Sequence, residues 1–336
     1  MQAPGTIISA VADLSVVVPV YGCRDCLAPL HQRLVDAITP ITQSYEIVFV
    51  DDRSPDGAWT VLEDLAAADP RVKALRLSRN FGQHAAITAG LATSNGVWTV
   101  VMDCDLQDPP EAIPRLLERA KQGFDMVLAR RKQRVQSAFR QGVARVYFKL
   151  LNTFMGTHLD GSYGTFSILS RKVVEAYLSL GDQDRHYLFV LNWLGFEQGI
   201  IEIEQGERAA GESSYTLGRL LRHAVAGVFF QTTNLLLYIV YLGFVVAGVG
   251  LLWSLLLVYL YVTAHPPTGY TSLAVLILVI GGFIIISTGV TGLYIGRVFQ
   301  QVKGRPIYVI DTVAQQTERH QALRAKASRR EVESVR

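Results

Sequence analysis

The chain has 336 residues, half of them hydrophobic, a formal net charge of +3 and a mean hydropathy of +0.25. That length suits one catalytic-size domain with something smaller attached, and the hydropathy is high for a wholly soluble protein. So small a positive surplus gives no case for a nucleic-acid partner.

Five short β-rich runs come first, at residues 14–18, 46–50, 72–77, 97–102 and 126–129. Helix-like stretches fall between them at 27–38, 58–67, 84–92 and 111–122. Alternation of this kind, with continuously apolar strands, predicts an α/β domain with a mostly parallel sheet covered on both faces. Residues 217–230 place Leu220, Leu221, Val225, Val228 and Phe229 on roughly one side, which suits either an interfacial helix or a linker helix. From 224 to 296 there is no Asp, Glu, Lys or Arg. Two apolar runs inside that span, about 235–262 and 273–295, are each long enough to cross a hydrocarbon core of roughly 30 Å. The proline-containing turn at 264–269 separates them, so a transmembrane hairpin is expected. Arg219 and Arg222 precede the hairpin, Arg297, Lys303 and Arg305 follow it, and the connecting loop has no Lys or Arg. Both ends are therefore expected on the cytoplasmic side. The expected boundaries are a catalytic domain at 1–216, a juxtamembrane helix at 217–231, the hairpin at 232–298 and a cytoplasmic tail at 299–336. Beyond Thr312 the tail is polar and is expected to be a loose helix or disordered. The first twelve residues lack the basic flank and apolar core of a signal peptide.

Parallel sheets bind ligands beyond the carboxyl ends of their strands. Pro19-Val20-Tyr21-Gly22 follows the first run and Asp51-Asp52-Arg53 the second. Asp103-Cys104-Asp105-Leu106-Gln107-Asp108 follows the fourth, and Arg130-Arg131 the fifth. Polar groups at four strand ends predict a site for a phosphate-bearing ligand and a metal. Asp103 and Asp105 point to one side if the chain stays extended. Two carboxylates that close repel unless a hard cation such as Mg²⁺ or Mn²⁺ lies between them. Gln107 adds an amide oxygen. Asp108-Pro109-Pro110-Glu111 reads as a helix start with Asp108 as N-cap, and Ser54-Pro55-Asp56-Gly57 as a turn. No glycine-rich dinucleotide fingerprint or Walker A sequence is present. Three cysteines, Cys23, Cys26 and Cys104, make no disulfide framework and suit a reducing, cytoplasmic setting. Cys23-Arg24-Asp25-Cys26 has the spacing of a redox pair, with nothing else to support that role.

At these motifs the sequence resembles glycosyltransferase family 2, in the branch that makes polyprenyl-phosphate sugars. That branch includes dolichol-phosphate mannose synthases, GtrB-like glucosyltransferases and ArnC-like aminoarabinose transferases. The stretches are 15–21 (SVVVPVY), 45–52 (YEIVFVDD), 79–90 (RNFGQHAAITAG), 102–110 (MDCDLQDPP), 208–215 (RAAGESSY) and 294–306 (YIGRVFQQVKGRP). The resemblance implies a GT-A fold, inverting transfer from a nucleotide-diphosphate sugar (a UDP-sugar favoured) and Mg²⁺ or Mn²⁺. It implies a polyprenyl phosphate acceptor and a place in the bacterial inner membrane, and because membrane hairpins often associate a homo-oligomer is a further expectation. By position, Pro19, Tyr21, Asp51, Asp52, Asp103 and Cys104 line the nucleotide-sugar pocket. Asp103, Asp105 and Gln107 hold the metal. Arg208 serves the donor diphosphate or the lipid phosphate, and Arg130, Arg134 and Ser213 the acceptor phosphate. Asp103, Asp105 and Arg208 are the catalytic set. Three positions depart from the pattern: Gly22-Cys23 where Asn-Glu is usual, Arg53 where Gly is usual, and Gly164-Thr165-Phe166-Ser167 where Asp-Phe-Arg occurs. A Q-x-x-R-W sequence, the mark of processive synthases, is absent. The alternatives are a family member with another lipid or glycan acceptor, and a non-catalytic membrane scaffold.

Overall fold

The structure is a computed structural model; it describes residues 12–132, 162–183, 185–204, scattered positions between 241 and 263, and 270–316. Contacts divide the chain into two units: Met1–Gln141, Leu159–Ser214 and Pro306–Arg336 in one, Gly142–His158 and Tyr215–Arg305 in the other.

The first unit is built on an eight-stranded mixed sheet. Its strands are β1 (Leu14–Val20), β2 (Tyr45–Asp51), β3 (Val72–Leu77), β4 (Trp98–Val101), β5 (Met126–Arg131), β6 (Tyr163–Ser170), β7 (Gln198–Ile203) and β8 (Ile310–Gln315), in the order β7-β5-β6-β4-β1-β2-β3-β8. The pairs β1–β2, β2–β3, β1–β4 and β5–β7 are parallel. The pairs β3–β8, β4–β6 and β5–β6 are antiparallel. Central strands such as LSVVVPV are buried on both faces, which is why they read as unbroken apolar runs rather than alternating ones.

Successive side chains still part to opposite faces. Val16, Val18, Ile47 and Phe49 join one core with Leu30 and Leu34 of α1 (Leu27–Ile38), Leu62 of α2 (Ala58–Ala68) and Leu116 of α4 (Ile113–Ala120). Val17, Val48, Val50 and Val101 join a second core. Its helices are α3 (Gln83–Thr93), α5 (Arg171–Ser179) and α6 (Tyr187–Leu194), which contribute Ile87, Leu91, Val173, Tyr177 and Tyr187. Helix α3 lies so close to the sheet that a Cβ at Gly90 would stand 2.3 Å from Val17 Cγ1. At the end of the sheet away from the site, Glu46 accepts from Ser15 Oγ at 2.7 Å, Lys73 Nζ at 2.5 Å and Asn95 N at 2.6 Å. These bonds satisfy a nearly buried carboxylate that would otherwise be costly.

One expectation is corrected here. The tail is not loose at Thr312. Residues Ile310–Gln315 form β8 and pair antiparallel with β3, Leu75 opposite Val313. Five of the six β8 residues, all but Ala314, are exposed, so the strand is held by backbone pairing and carries no buried apolar pattern for a sequence reader to find. Of the expected two-helix hairpin, the described residues cover chiefly the second helix. Among the described residues one helix, α7 (Tyr270–Val302), contains a stretch long and apolar enough to cross a membrane, Ile280–Val302. None of that stretch is buried, and Ile284, Leu293 and Phe299 are exposed. The first run, 235–262, lies largely outside the described residues, as does the stretch 217–231. Where it is described, at Tyr241, Phe244, Leu252 and Trp253, the chain is helical and exposed.

Candidate active site

Strands β1, β2 and β4 are neighbours and run parallel, so their carboxyl ends open on one rim. Pro19 lies in β1 beyond the last β4 pair, Val17↔Val101, and Tyr21 stands 54% exposed just past the strand. Gly22 has φ +69°, a left-handed conformation that glycine adopts without steric cost. Arg53 has φ 56°, which is costly away from glycine. Its guanidinium donates to Asp311 Oδ2 of β8 at 2.9 Å.

The aspartates after β2 are anchored inside the protein. Asp51 is fully buried, accepts from Ser54 N at 2.8 Å and faces Arg76 Nε at 3.2 Å. Asp52 accepts from Phe81 N at 2.7 Å and Gly82 N at 2.8 Å, so it fixes the turn leading into α3. Burial pushes both carboxyls up, against the amides that hold them. The loops after β1 and β2 are stitched together: Gly22 N donates to Ser54 Oγ and Arg24 N to Asp56 Oδ2.

A disulfide between Cys23 and Cys104 ties the β1 loop to the loop after β4, and Cys26 is free and buried. This corrects the expectation of three reduced thiols. The two cysteines are 81 positions apart and meet because β1 and β4 are adjacent, which spacing alone does not reveal.

Beyond Val101 the chain turns instead of continuing extended, with Leu106 at φ 62°. Asp103 and Asp105 stand in this bent segment, near enough for the Asp105 charge to act on Asp103. Asp103 Oδ1 accepts from Gln83 Nε2 and from Thr165 Oγ1, each at 2.7 Å. Asp105 Oδ1 accepts from Gln107 N at 3.1 Å. Asp108 is not a helix cap. It is fully buried and grips Arg131 with both oxygens, at 3.1 and 3.0 Å, while the following short helix begins after Pro109 without a side-chain cap. Gly164 leaves room for that guanidinium, since a Cβ there would lie 2.7 Å from Arg131 Nη2. Arg130 Nε donates to Ser162 Oγ at 3.2 Å. Arg134, Arg208 and Ser213 lie outside the described residues.

Burial raises Asp103 to about 6, and the nearby Asp108 and Asp105 charges add to the rise, Thr165 and Arg131 opposing it. The donor set is all oxygen and carries surplus negative charge, which fits a hard divalent cation. Among the described residues no group of three or more His, Cys, Asp or Glu encloses a cation. An ion held by two carboxylates keeps positions for water and for substrate phosphate. A proton would compete with a cation held at Asp103. Mn²⁺ affinity is accordingly expected to be full above about pH 6 and to fall as pH drops through it, read as Mn²⁺-induced thermal stabilisation at pH 5, 6, 7 and 8.

A profile of Glycosyl transferase family 2 matches residues 15–178. The uncharacterized glycosyltransferase YkcC of Bacillus subtilis is 34% identical over 298 residues, 88% of this chain and 92% of that protein. The SfII prophage-derived bactoprenol glucosyl transferase of Shigella flexneri is 34% identical over 299 residues, 88% and 97% of the two chains. The undecaprenyl-phosphate 4-deoxy-4-formamido-L-arabinose transferase of Aeromonas hydrophila is 34% identical over 306 residues, 89% and 93%. Among solved structures, the mannosyltransferase PcManGT from Pyrobaculum calidifontis, in complex with GDP-Man and Mn²⁺, is similar with a TM-score of 0.47 and 16% identity over 65% of this chain and 63% of that one. Relatives this similar over most of the chain, together with a profile spanning the strand ends that carry the acidic turn, establish that the chain belongs to glycosyltransferase family 2 and is a glycosyltransferase with a GT-A-like α/β fold.

Proposed function

We propose that the enzyme transfers a sugar, with inversion, from a nucleotide-diphosphate sugar to the phosphate of a polyprenyl lipid such as undecaprenyl phosphate. A UDP-sugar is the favoured donor. The observation that carries this reading is the Asp103–Asp105 turn at the end of β4, in a chain whose relatives are named for bactoprenol and undecaprenyl phosphate. Pro19, Tyr21, Asp51, Asp52 and Cys104 border the nucleotide side. Asp103, Asp105 and Gln107 would hold Mg²⁺ or Mn²⁺. That cation supplies charge neutralisation for the leaving diphosphate.

An acceptor phosphate oxygen attacks C1 of the sugar, and the bond from C1 to the diphosphate oxygen breaks. The products are polyprenyl-phosphate sugar and nucleoside diphosphate. The acceptor is already an anion, so no strong general base is needed. Two anions must be brought together, and Arg130, Arg134 and Arg208, with Ser213, are assigned to the acceptor and diphosphate charges. Guanidinium suits this work because its donors form a fork matched to phosphate. The apolar helix α7, with the run at 235–262, would hold the enzyme in the bacterial inner membrane as a hairpin with both termini cytoplasmic.

The test is transfer by detergent-solubilised enzyme to undecaprenyl phosphate from a panel of radiolabelled UDP- and GDP-sugars with Mn²⁺. Label entering the organic phase is the expected result. Donor binding without transfer would move the acceptor to another lipid or glycan. Absence of both binding and transfer would favour a scaffold.

A further inference from the structure

We propose that Gln83 and Thr165 are positioning residues that together decide which oxygen of Asp103 is offered to the cation, an inference that rests on the reading of Asp103 as a metal ligand. Both donate at 2.7 Å to the same atom, Oδ1. Among the described residues neither donor reaches Oδ2. A carboxylate with two equivalent oxygens is free to turn. Two donors converging on one oxygen from different elements remove that freedom and present the other.

Each donor is aimed by a separate backbone device. Thr165 lies where the β5–β6 register breaks. Leu128 pairs with Ser167 and Arg130 with Tyr163, so Gly164, Thr165 and Phe166 stand opposite Ala129 alone. An irregularity of this kind re-aims a side chain that a regular ladder would hold on its own face. It delivers the Thr165 hydroxyl to the neighbouring strand's end. Gln83 opens α3 and follows Gly82, whose φ is +97°. The turn before it is clamped by Asp52, whose oxygens take the Phe81 and Gly82 amides. Asp52 thus acts on the acidic turn through Gln83, from a strand end two strands away.

Outer partners of metal ligands are worth about 10- to 100-fold in affinity. The experiment measures Mn²⁺ dissociation constants by electron paramagnetic resonance on the full-length protein in detergent. The variants are Thr165→Val, Thr165→Ser, Gln83→Ala and Asp103→Asn, each with its thermal midpoint. Thr165→Val and Gln83→Ala are expected to weaken Mn²⁺ about 10-fold or more. Thr165→Ser, which keeps the hydroxyl, should bind nearly as wild type. In transfer assays the two weakened variants should need more Mn²⁺ for half-maximal rate, with most of the rate recovered at saturation. Gln83 is exposed, so its variant keeps the question open to test even if Thr165→Val fails to fold. If Asp103→Asn abolishes binding while Thr165→Val and Gln83→Ala bind as wild type, the positioning role is overturned and the ligand role stands. If Asp103→Asn itself binds Mn²⁺ normally, the ligand role fails and this inference with it.

Discussion

Asp105→Ala is expected to lower sugar transfer by about 10³-fold or more while leaving the protein folded. A bound divalent ion stabilises several kcal/mol of developing charge on a leaving phosphate. About 4 kcal/mol of lost stabilisation corresponds to about 10³ in rate. Asp105 is one of only two carboxylates assigned to that ion, so its loss leaves one. The effect on folding is small, because loss of Asp105 relieves like-charge repulsion on Asp103 and also frees the Gln107 amide it holds. The thermal midpoint without metal should be nearly unchanged, while Mn²⁺-dependent stabilisation disappears. A rate within tenfold of wild type would remove Asp105 from the metal set.

The second large effect concerns stability. The Cys23–Cys104 bond closes a loop of 81 positions. Chain-entropy arguments give about 4 kcal/mol of stabilisation for a loop of that size, through restriction of the unfolded chain. Cys23→Ser, or reduction of the native protein, is expected to lower the thermal midpoint by about 10 °C for a unit of this length. Cys26→Ser should not, because the Cys26 thiol is outside the bond. Differential scanning measurements on the oxidised, reduced and substituted proteins check this directly. Equal midpoints with and without reductant would mean that the loop after β4 is held by its hydrogen bonds alone.

The central half of the sheet is legible in the sequence because burial on both faces leaves unbroken runs such as Val16 to Val18 and Ile47 to Val50. Helix α1 is legible through Leu27, Leu30, Leu34 and Ile38, spaced for one buried face. Strand β6 is not, because Gly164, Thr165 and Ser167 interrupt its apolar character while serving Arg131, Asp103 and Tyr187. Asp103 and Asp105 are found from sequence because they follow a strand. Asp108 is misread because a helix-start pattern is local, whereas its partner Arg131 is 23 residues away. Gln83 and Thr165 lie in quoted stretches, yet nothing local ties either to Asp103, 20 and 62 positions off. Arg53 reads as a misfit until Asp311 is placed beside it, 258 positions along the chain.

Strand β8 sets an order of manufacture. It starts at Ile310, after the apolar helix Tyr270–Val302, yet it covers the outer edge of β3 at Val72–Leu77. A ribosome adding about 5–20 residues per second leaves that edge bare for roughly 10–50 s after β3 emerges. An uncovered strand edge is a template for wrong partners. The growing chain passes this interval with its apolar helix already emerging. Release of a finished sheet therefore waits on synthesis of the helix, and a chain cut short before Ile310 never possesses one.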